Sequence, residues 1–208
     1  MTGFTTLLSA ELDRRRSYAL FTSLLVPRPI AWVTTADAEG RVNAAPYSFY
    51  GGISSDPPLL GLGIGRRRDG SRKDTARNAI EGGELVVHLA ERGQLDALVA
   101  SSADYPPGRS EPEALGLELA PSVRVAVPAL AACRVRLECR LERHLELGRG
   151  PVDFLVAEVL AFRLAADLLA EDGAVREAEL APVGRLGGLL YAPVTERFKV
   201  PRPPAPGG

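Results

Sequence analysis

Between Cys133 and Leu147 the chain alternates strictly. Cys133, Val135, Leu137, Cys139, Leu141, Leu145 and Leu147 interleave with Arg134, Arg136, Glu138, Arg140, Glu142, His144 and Glu146, and only Arg143 breaks the pattern. A period of two over this length predicts a long antiparallel strand with one dry and one wet face. After a turn at Gly148-Arg149-Gly150-Pro151, residues Val152 to Leu164 are apolar on both faces, as in a barrel wall. Ile30–Thr35, Val42–Tyr47, Leu59–Ile64 and Leu85–Leu89 read as further strands, and short strands joined by tight turns point to a closed barrel or a sandwich. Helices are expected to be few: a short one over Thr5 to Tyr18, one capped by Asp74 or Thr75 and ending at Gly82-Gly83, and one over Gln94 to Ser101. The tail from Pro201 to Gly208 holds four prolines and two glycines and cannot pack a core, so it is expected to be disordered or an extended arm. No internal repeat or linker divides the rest, which reads as one domain over residues 1–200.

Composition narrows the function classes. A chain of 208 residues with 46% apolar content can bury a sizeable core. A net charge of -1 gives no basic field for nucleic acid and no polybasic patch for a membrane. No apolar run reaches the roughly 18 residues of a membrane span, and Met1 to Ala10 lacks a positive leader region, so the expected location is the cytoplasm. Cys133 and Cys139, six apart on one expected strand, would lie about 20 Å from each other on the same face. That is too far for a disulfide, and they read as small buried residues. His88 and His144 have no ligand-like spacing, so no metal site is expected.

Three stretches carry candidate chemistry. Asn43, Ala45, Pro46, Tyr47, Ser48 and Phe49, followed by Ser54 and Ser55, mix small residues, aromatic rings and hydrogen-bonding groups. If Pro46, Gly51 and Gly52 take this backbone out of regular pairing, its free N–H groups need partners, which the polar edge of a flat ring would supply. The alternative is a strand end followed by an aromatic core segment. Arg66-Arg67-Arg68 leads through Ser71, Lys73 and Asp74 to a helix opening at Thr75. A cationic loop at a helix N-terminus is a ready anion site, and the alternative is a solvated charged loop with an ordinary cap. Lys73 and Lys199 are the only lysines among many arginines, and a compact ammonium suits a phosphate. Ring platform and phosphate loop together have the shape of a flavin mononucleotide (FMN) site. Gly61-Leu62-Gly63-Ile64-Gly65 has Arg66 where a dinucleotide fingerprint wants its third glycine, so these glycines read as places of close approach within a strand. No Ser-His-Asp or Cys-His set and no telling carboxylate pair occurs.

The order of these motifs resembles the flavin reductase-like family of FMN-binding split barrels. The matching residues are Arg28-Pro29-Ile30 with Val33-Thr34-Thr35, Asn43 through Tyr50, Ser54 through Pro58, Ser71 with Lys73-Asp74-Thr75, Ser102 through Gly108, and Val183 through Gly188 with Tyr191. The resemblance implies an all-β split barrel with a few short helices, working as a homodimer. It implies FMN as cofactor and NAD(P)H as co-substrate for flavin reduction, with a monooxygenase as a possible partner for the reduced flavin. An FMN oxidoreductase of a small organic acceptor, or a flavin sensor or storage protein, are the alternatives. It puts the ring on Asn43 to Phe49 with Ser54 and Ser55, and the phosphate on Ser71, Lys73, Asp74 and Thr75; Arg67 counts among the candidates, and which of Arg66, Arg67 and Arg68 meets the phosphate stays open. No catalytic side chain is expected, because hydride transfer belongs to the cofactors. His88 stands where many members have asparagine, as a substrate contact or as a satisfied strand residue.

Overall fold

The computed structural model describes residues 3–203. The elements are α1 (Arg14–Leu24), β1 (Ala31–Ala36), β2 (Val42–Tyr47), β3 (Tyr50–Ser55), β4 (Pro58–Gly65), α2 (Asp74–Gly82), β5 (Glu84–Leu89), α3 (Leu95–Ala100), α4 (Glu111–Leu115), β6 (Leu119–Ala120), β7 (Ala129–Leu130), β8 (Val135–Leu147), β9 (Val152–Leu164), β10 (Val183–Arg185) and β11 (Tyr191–Pro193). Seven strands form one antiparallel sheet in the order β2-β1-β5-β8-β9-β4-β3. Its two outermost strands, β2 and β3, are joined only by Ser48 and Phe49. Tyr47 of β2 and Tyr50 of β3 pack into the same cluster as Val33, Leu62, Val87, Cys139 and Leu155. A sheet whose two edges share one core has to curl. Ala76 and Ala79 of α2, fully buried in that cluster, cover the barrel beside β1. No helix among the described residues is long and apolar enough to cross a membrane.

Several sequence expectations need correction. The first helix starts at Arg14, not Thr5, because Asp13 caps it by accepting from the Arg16 N–H at 2.7 Å; it then runs on to Leu24. Asp74 and Thr75 lie inside α2 and not at its cap: Lys73 is the N-cap and offers no side-chain bond there. The helix expected over Gln94–Ser101 is a 3-10 turn, Arg92–Gln94, followed by α3. Tyr50 to Ser55 is a paired strand. Gly51 faces Gly61, Gly52 faces Leu60 and Pro46 faces Trp32, so these residues do not leave the sheet; only a bulge between Gly52 and Ser54 interrupts it. Bare glycine serves close approach, as expected: a Cβ on Gly61 would meet Phe154 Cζ at 2.8 Å and Ile53 Cδ1 at 2.9 Å. Of the tail, Pro201, Arg202 and Pro203 are exposed without regular structure, and residues 204–208 lie outside the described residues.

The long alternating strand obeys its pattern only in part. Glu138, expected on the wet face, is fully buried and accepts backbone N–H bonds from Val123 and Arg124, while Leu145 and Leu147 are 42% and 48% exposed. The bulge between Leu141 and Arg143 adds a residue to β8 where the alternation breaks and inverts the facing beyond it. The irregularity at Glu138 and Cys139 adds its extra residue, Leu160, to β9, and Glu138 is buried because the Val123–Arg124 segment covers its face. Cys133 precedes the strand and packs with Trp32 and Leu130, whereas Cys139 packs with Val87 and Leu155, so they do not share a face. Both are free and buried, and burial pushes each thiol up to about 12.

His88 is a core residue of β5. Its Nε2 accepts from the Leu130 N–H at 2.9 Å, which leaves Nδ1–H to donate to the Trp32 carbonyl at 2.8 Å, so the ring is neutral and both nitrogens are satisfied. Burial drops its pKa from 6.5 to about 4. The unfolded chain therefore binds a proton between those values that the folded chain refuses, and stability falls as pH drops through this window. We predict that unfolding titrations at pH 7 and pH 4 will differ less for His88→Asn than for wild type, by on the order of 3 kcal/mol. Equal pH dependence in the two proteins would show that His88 is not buried neutral.

Candidate functional site

Where β2 runs past the start of α2, a cleft of about 70 Å³ opens to solvent. One wall is β2, with Asn43, Ala45, Pro46 and Tyr47; another is Lys73, Asp74 and Thr75 at the start of α2; Arg67, the loop Ser101–Tyr105 and Glu111 complete it. The two main walls are tied by one hydroxyl. Thr75 Oγ1, almost fully buried, is bonded by Asn43 Nδ2 at 2.7 Å and by the Tyr47 hydroxyl at 2.9 Å. Asn43 Oδ1 in turn accepts from Thr35 Oγ1. Burial raises the Tyr47 pKa, so it stays a neutral phenol.

The cationic end has two free elements. Lys73 Nζ lies 5.9 Å from the centre of the Tyr47 ring, and among the described residues it makes no ion pair. Arg67 is held to Asp74 Oδ2 at 3.2 Å and to the Tyr105 carbonyl at 3.0 Å, while its buried Nε has no hydrogen-bond partner. Because Lys73 gives no side-chain cap, the first N–H groups of the nine-residue α2 have no capping acceptor. Uncapped amides, a buried unpartnered guanidinium nitrogen and a free ammonium at one end of a cleft fit an anion. Two carboxyl groups temper the charge. Asp74 takes Arg67 and the Gly108 N–H and lies 2.6 Å from Arg77. Glu111 accepts from the Ala44 N–H at 3.0 Å, and burial pushes its carboxyl above the usual range.

A second cavity of about 180 Å³ shares Pro46, Tyr47 and Ser102 with the first. It is walled by Tyr18 of α1, Ser48, Arg185 of β10 and Tyr191 of β11. Arg28, buried without an acidic partner, organises this side: it donates to the Thr22 and Leu25 carbonyls at the end of α1, to the Leu186 carbonyl and to Ser48 Oγ. Gly187 allows the same contact, since a Cβ there would lie 2.6 Å from Ser23 Oγ and 3.1 Å from Ser23 Cα.

The structure therefore brings together Asn43, Ala45, Pro46, Tyr47, Arg67, Lys73, Asp74 and Thr75 in one cleft, with Ser48 next door. It does not bring in the other four. Phe49 is 40% exposed and stacks on Phe21 at 5.9 Å. Ser54 and Ser55 are exposed at the β3–β4 turn, and Ser71 is exposed with its hydroxyl and N–H both spent on Asp69. Glu111 and Ser101 were missed. The run Ser110-Glu111-Pro112-Glu113 carries a helix-start signal, a serine cap with proline in the first turn, but nothing in it says that Glu111 meets β2. The trio His144, Glu146 and Asp153, at the paired ends of β8 and β9, does converge, but Arg66 and Arg72 occupy the same carboxylates, which works against a cation.

Comparison with known proteins agrees with this geometry. Residues 23–192 match the flavin reductase like domain. The fold superimposes on nitrilotriacetate monooxygenase component B from Bacillus cereus with a TM-score of 0.91 at 35% identity, covering 96% of this chain and all of that one. It is also similar to 2-nitrobenzoate 2-nitroreductase from Pseudomonas fluorescens, with a TM-score of 0.88 at 31% identity and coverage of 98% and 100%. A split-barrel flavin reductase-like protein from Shewanella frigidimarina shares the fold at 21% identity, with a TM-score of 0.82 and coverage of 93% and 96%. The curled sheet is thus a split barrel, and the chain belongs to the flavin reductase-like family of flavin-binding oxidoreductases.

Proposed function

We propose that this chain, acting as one domain over residues 1–200, is a cytoplasmic NAD(P)H-dependent flavin reductase. FMN is held in the cleft between β2 and α2. The observation that carries this reading is the cleft's polarity: a ring-sized wall at Asn43 to Tyr47 leads to an uncapped helix start flanked by Lys73 and Arg67. Ala45, Pro46 and Tyr47 would bear on the ring. Asn43 and Thr75 would position Tyr47 through their shared hydrogen bonds, and Lys73, Arg67 and the α2 amides would hold the phosphate. Bound flavin supplies the hydride chemistry, so the protein's task is to orient rings and exclude water. Similarity to a monooxygenase component B supports delivery of reduced flavin to a separate monooxygenase. The second reading, direct reduction of a small organic acceptor, is favoured by the cavity that adjoins the cleft at Pro46 and Tyr47, and by the likeness to a nitroreductase.

We also propose a homodimer. Tyr18, Phe21 and Leu24 of α1 are 62%, 52% and 76% exposed, with Phe21 stacked on Phe49, an apolar strip suited to a second copy. Sedimentation of the FMN-loaded protein should give a dimer that melts at higher temperature than the apoprotein. Monomer with FMN bound would refute the assembly and leave the cofactor standing.

Lys73→Ala should weaken FMN by roughly tenfold to a hundredfold, the loss of one charge-assisted contact, and leave riboflavin binding nearly unchanged. Fluorescence titration of both ligands reads this directly. Equal loss for the two would make Lys73 a fold residue.

Anaerobic mixing with NADH or NADPH should bleach the bound flavin absorbance. Flavin that stays oxidised with both nucleotides, yet bleaches with dithionite, would overturn the reductase in favour of a sensor or storage protein.

A further inference from the structure

Arg185 is the one formal charge lining the second cavity. The carboxyl groups of this region, Asp74, Asp104 and Glu111, line the first cavity and not the second. Its guanidinium centre lies 4.4 Å from the middle of the Tyr191 ring, and NH2 donates to the Gly188 carbonyl. Among the described residues Arg185 has no carboxylate partner, although most of the chain's half-buried arginines do: Arg66, Arg67, Arg72 and Arg134 are all paired. A guanidinium laid on an aromatic face loses little freedom when it binds, and its planar fork matches a carboxylate or a phosphate. Tyr18 and Tyr191 add ring faces to the same walls, and Ile30 and Leu98 add apolar surface. One cation, three tyrosines (Tyr18, Tyr47 and Tyr191) and apolar surface form a site for a planar ring that carries an anionic group.

The position of this cavity gives the site its role. Pro46 and Tyr47 line both cavities, so a ring bound beside Arg185 abuts the wall that would carry the flavin ring. Resting on the flavin reading above, we propose that Arg185, seated on Tyr191, determines which second substrate meets the flavin, by selecting a planar ring that bears a carboxylate or a phosphate. Arg185 acts by recognition, and the β10–β11 turn at Gly187 and Gly188 holds it there.

The FMN-loaded protein titrated calorimetrically with benzoate, with its neutral isostere benzamide and with nicotinamide mononucleotide tests the assignment. At least one of the two anions should bind wild type roughly tenfold or more tightly than benzamide, as one charge-assisted contact dictates. Tight benzoate identifies an aromatic carboxylate as the source, and tight nicotinamide mononucleotide identifies a nucleotide phosphate. Arg185→Met should abolish the preference over benzamide, Arg185→Lys should keep part of it, and both should bind FMN as wild type does. Wild-type titrations alone decide the matter if the variants fail to fold. Equal affinity for benzoate, benzamide and the mononucleotide, no binding of either anion, or an unchanged preference in a folded Arg185→Met protein would overturn the proposal. Absence of FMN binding would instead sink the flavin reading. The same titrations on apoprotein would then still read the anion preference of Arg185.

Discussion

The site depends on one buried hydroxyl. Thr75 Oγ1 receives β2 through Asn43 and Tyr47 and belongs to the first turn of α2, so it fixes the ring-sized wall against the helix start. Each hydrogen bond is worth only about 1 kcal/mol net, but stripping the hydroxyl would leave two buried donors unsatisfied at about 1–3 kcal/mol each. That asymmetry explains why the network holds a fixed geometry. Asn43 is itself held from behind by Thr35 and Asn78, which carries the constraint into β1 and back into α2.

Around that node the charges divide by distance from the cleft. Arg66 and Arg72 turn outward to Asp153 and Glu146, where His144 joins them; burial opposes ionisation of Asp153, but these three partners hold its carboxyl below the usual range. Arg67 alone of the Arg66–Arg68 run turns in, spanning Asp74 and the Tyr105 carbonyl and thereby bracing the 101–105 wall. The far side is braced by Arg28, whose hydrogen bonds join the end of α1, Ser48 just after β2 and the turn before β11. Two arginines, one half-buried and one buried, thus fix the two ends of a groove whose middle is β2.

Period-two patterning placed β8, and apolar runs bounded by turn residues placed β1, β2, β4, β5 and β9, all within a residue or two. β3 stayed hidden. Four of its six residues are glycines or serines, a bulge interrupts it, and its pairing depends on the similarly glycine-rich β4 opposite. Parity failed in β8 for a related reason, since a bulge inverts the facing without changing composition. In the site, residues on β2 and at the start of α2 were legible because local structure fixes their direction. Ser71 looked like a phosphate ligand until Asp69, two residues back, captured it. Glu111 and Arg185 reach the site only through tertiary packing. No local pattern announces that.

The central claim, that the α2 start holds a flavin phosphate, has a direct test in phosphorus NMR of FMN on the protein. A free phosphate monoester titrates with a second pKa near about 6. Bound against the α2 amides, Lys73 and Arg67, it should stay dianionic and hold one resonance position from about pH 8 down through that value. A bound resonance that titrates as free FMN does would place the phosphate in open solvent and contradict the account.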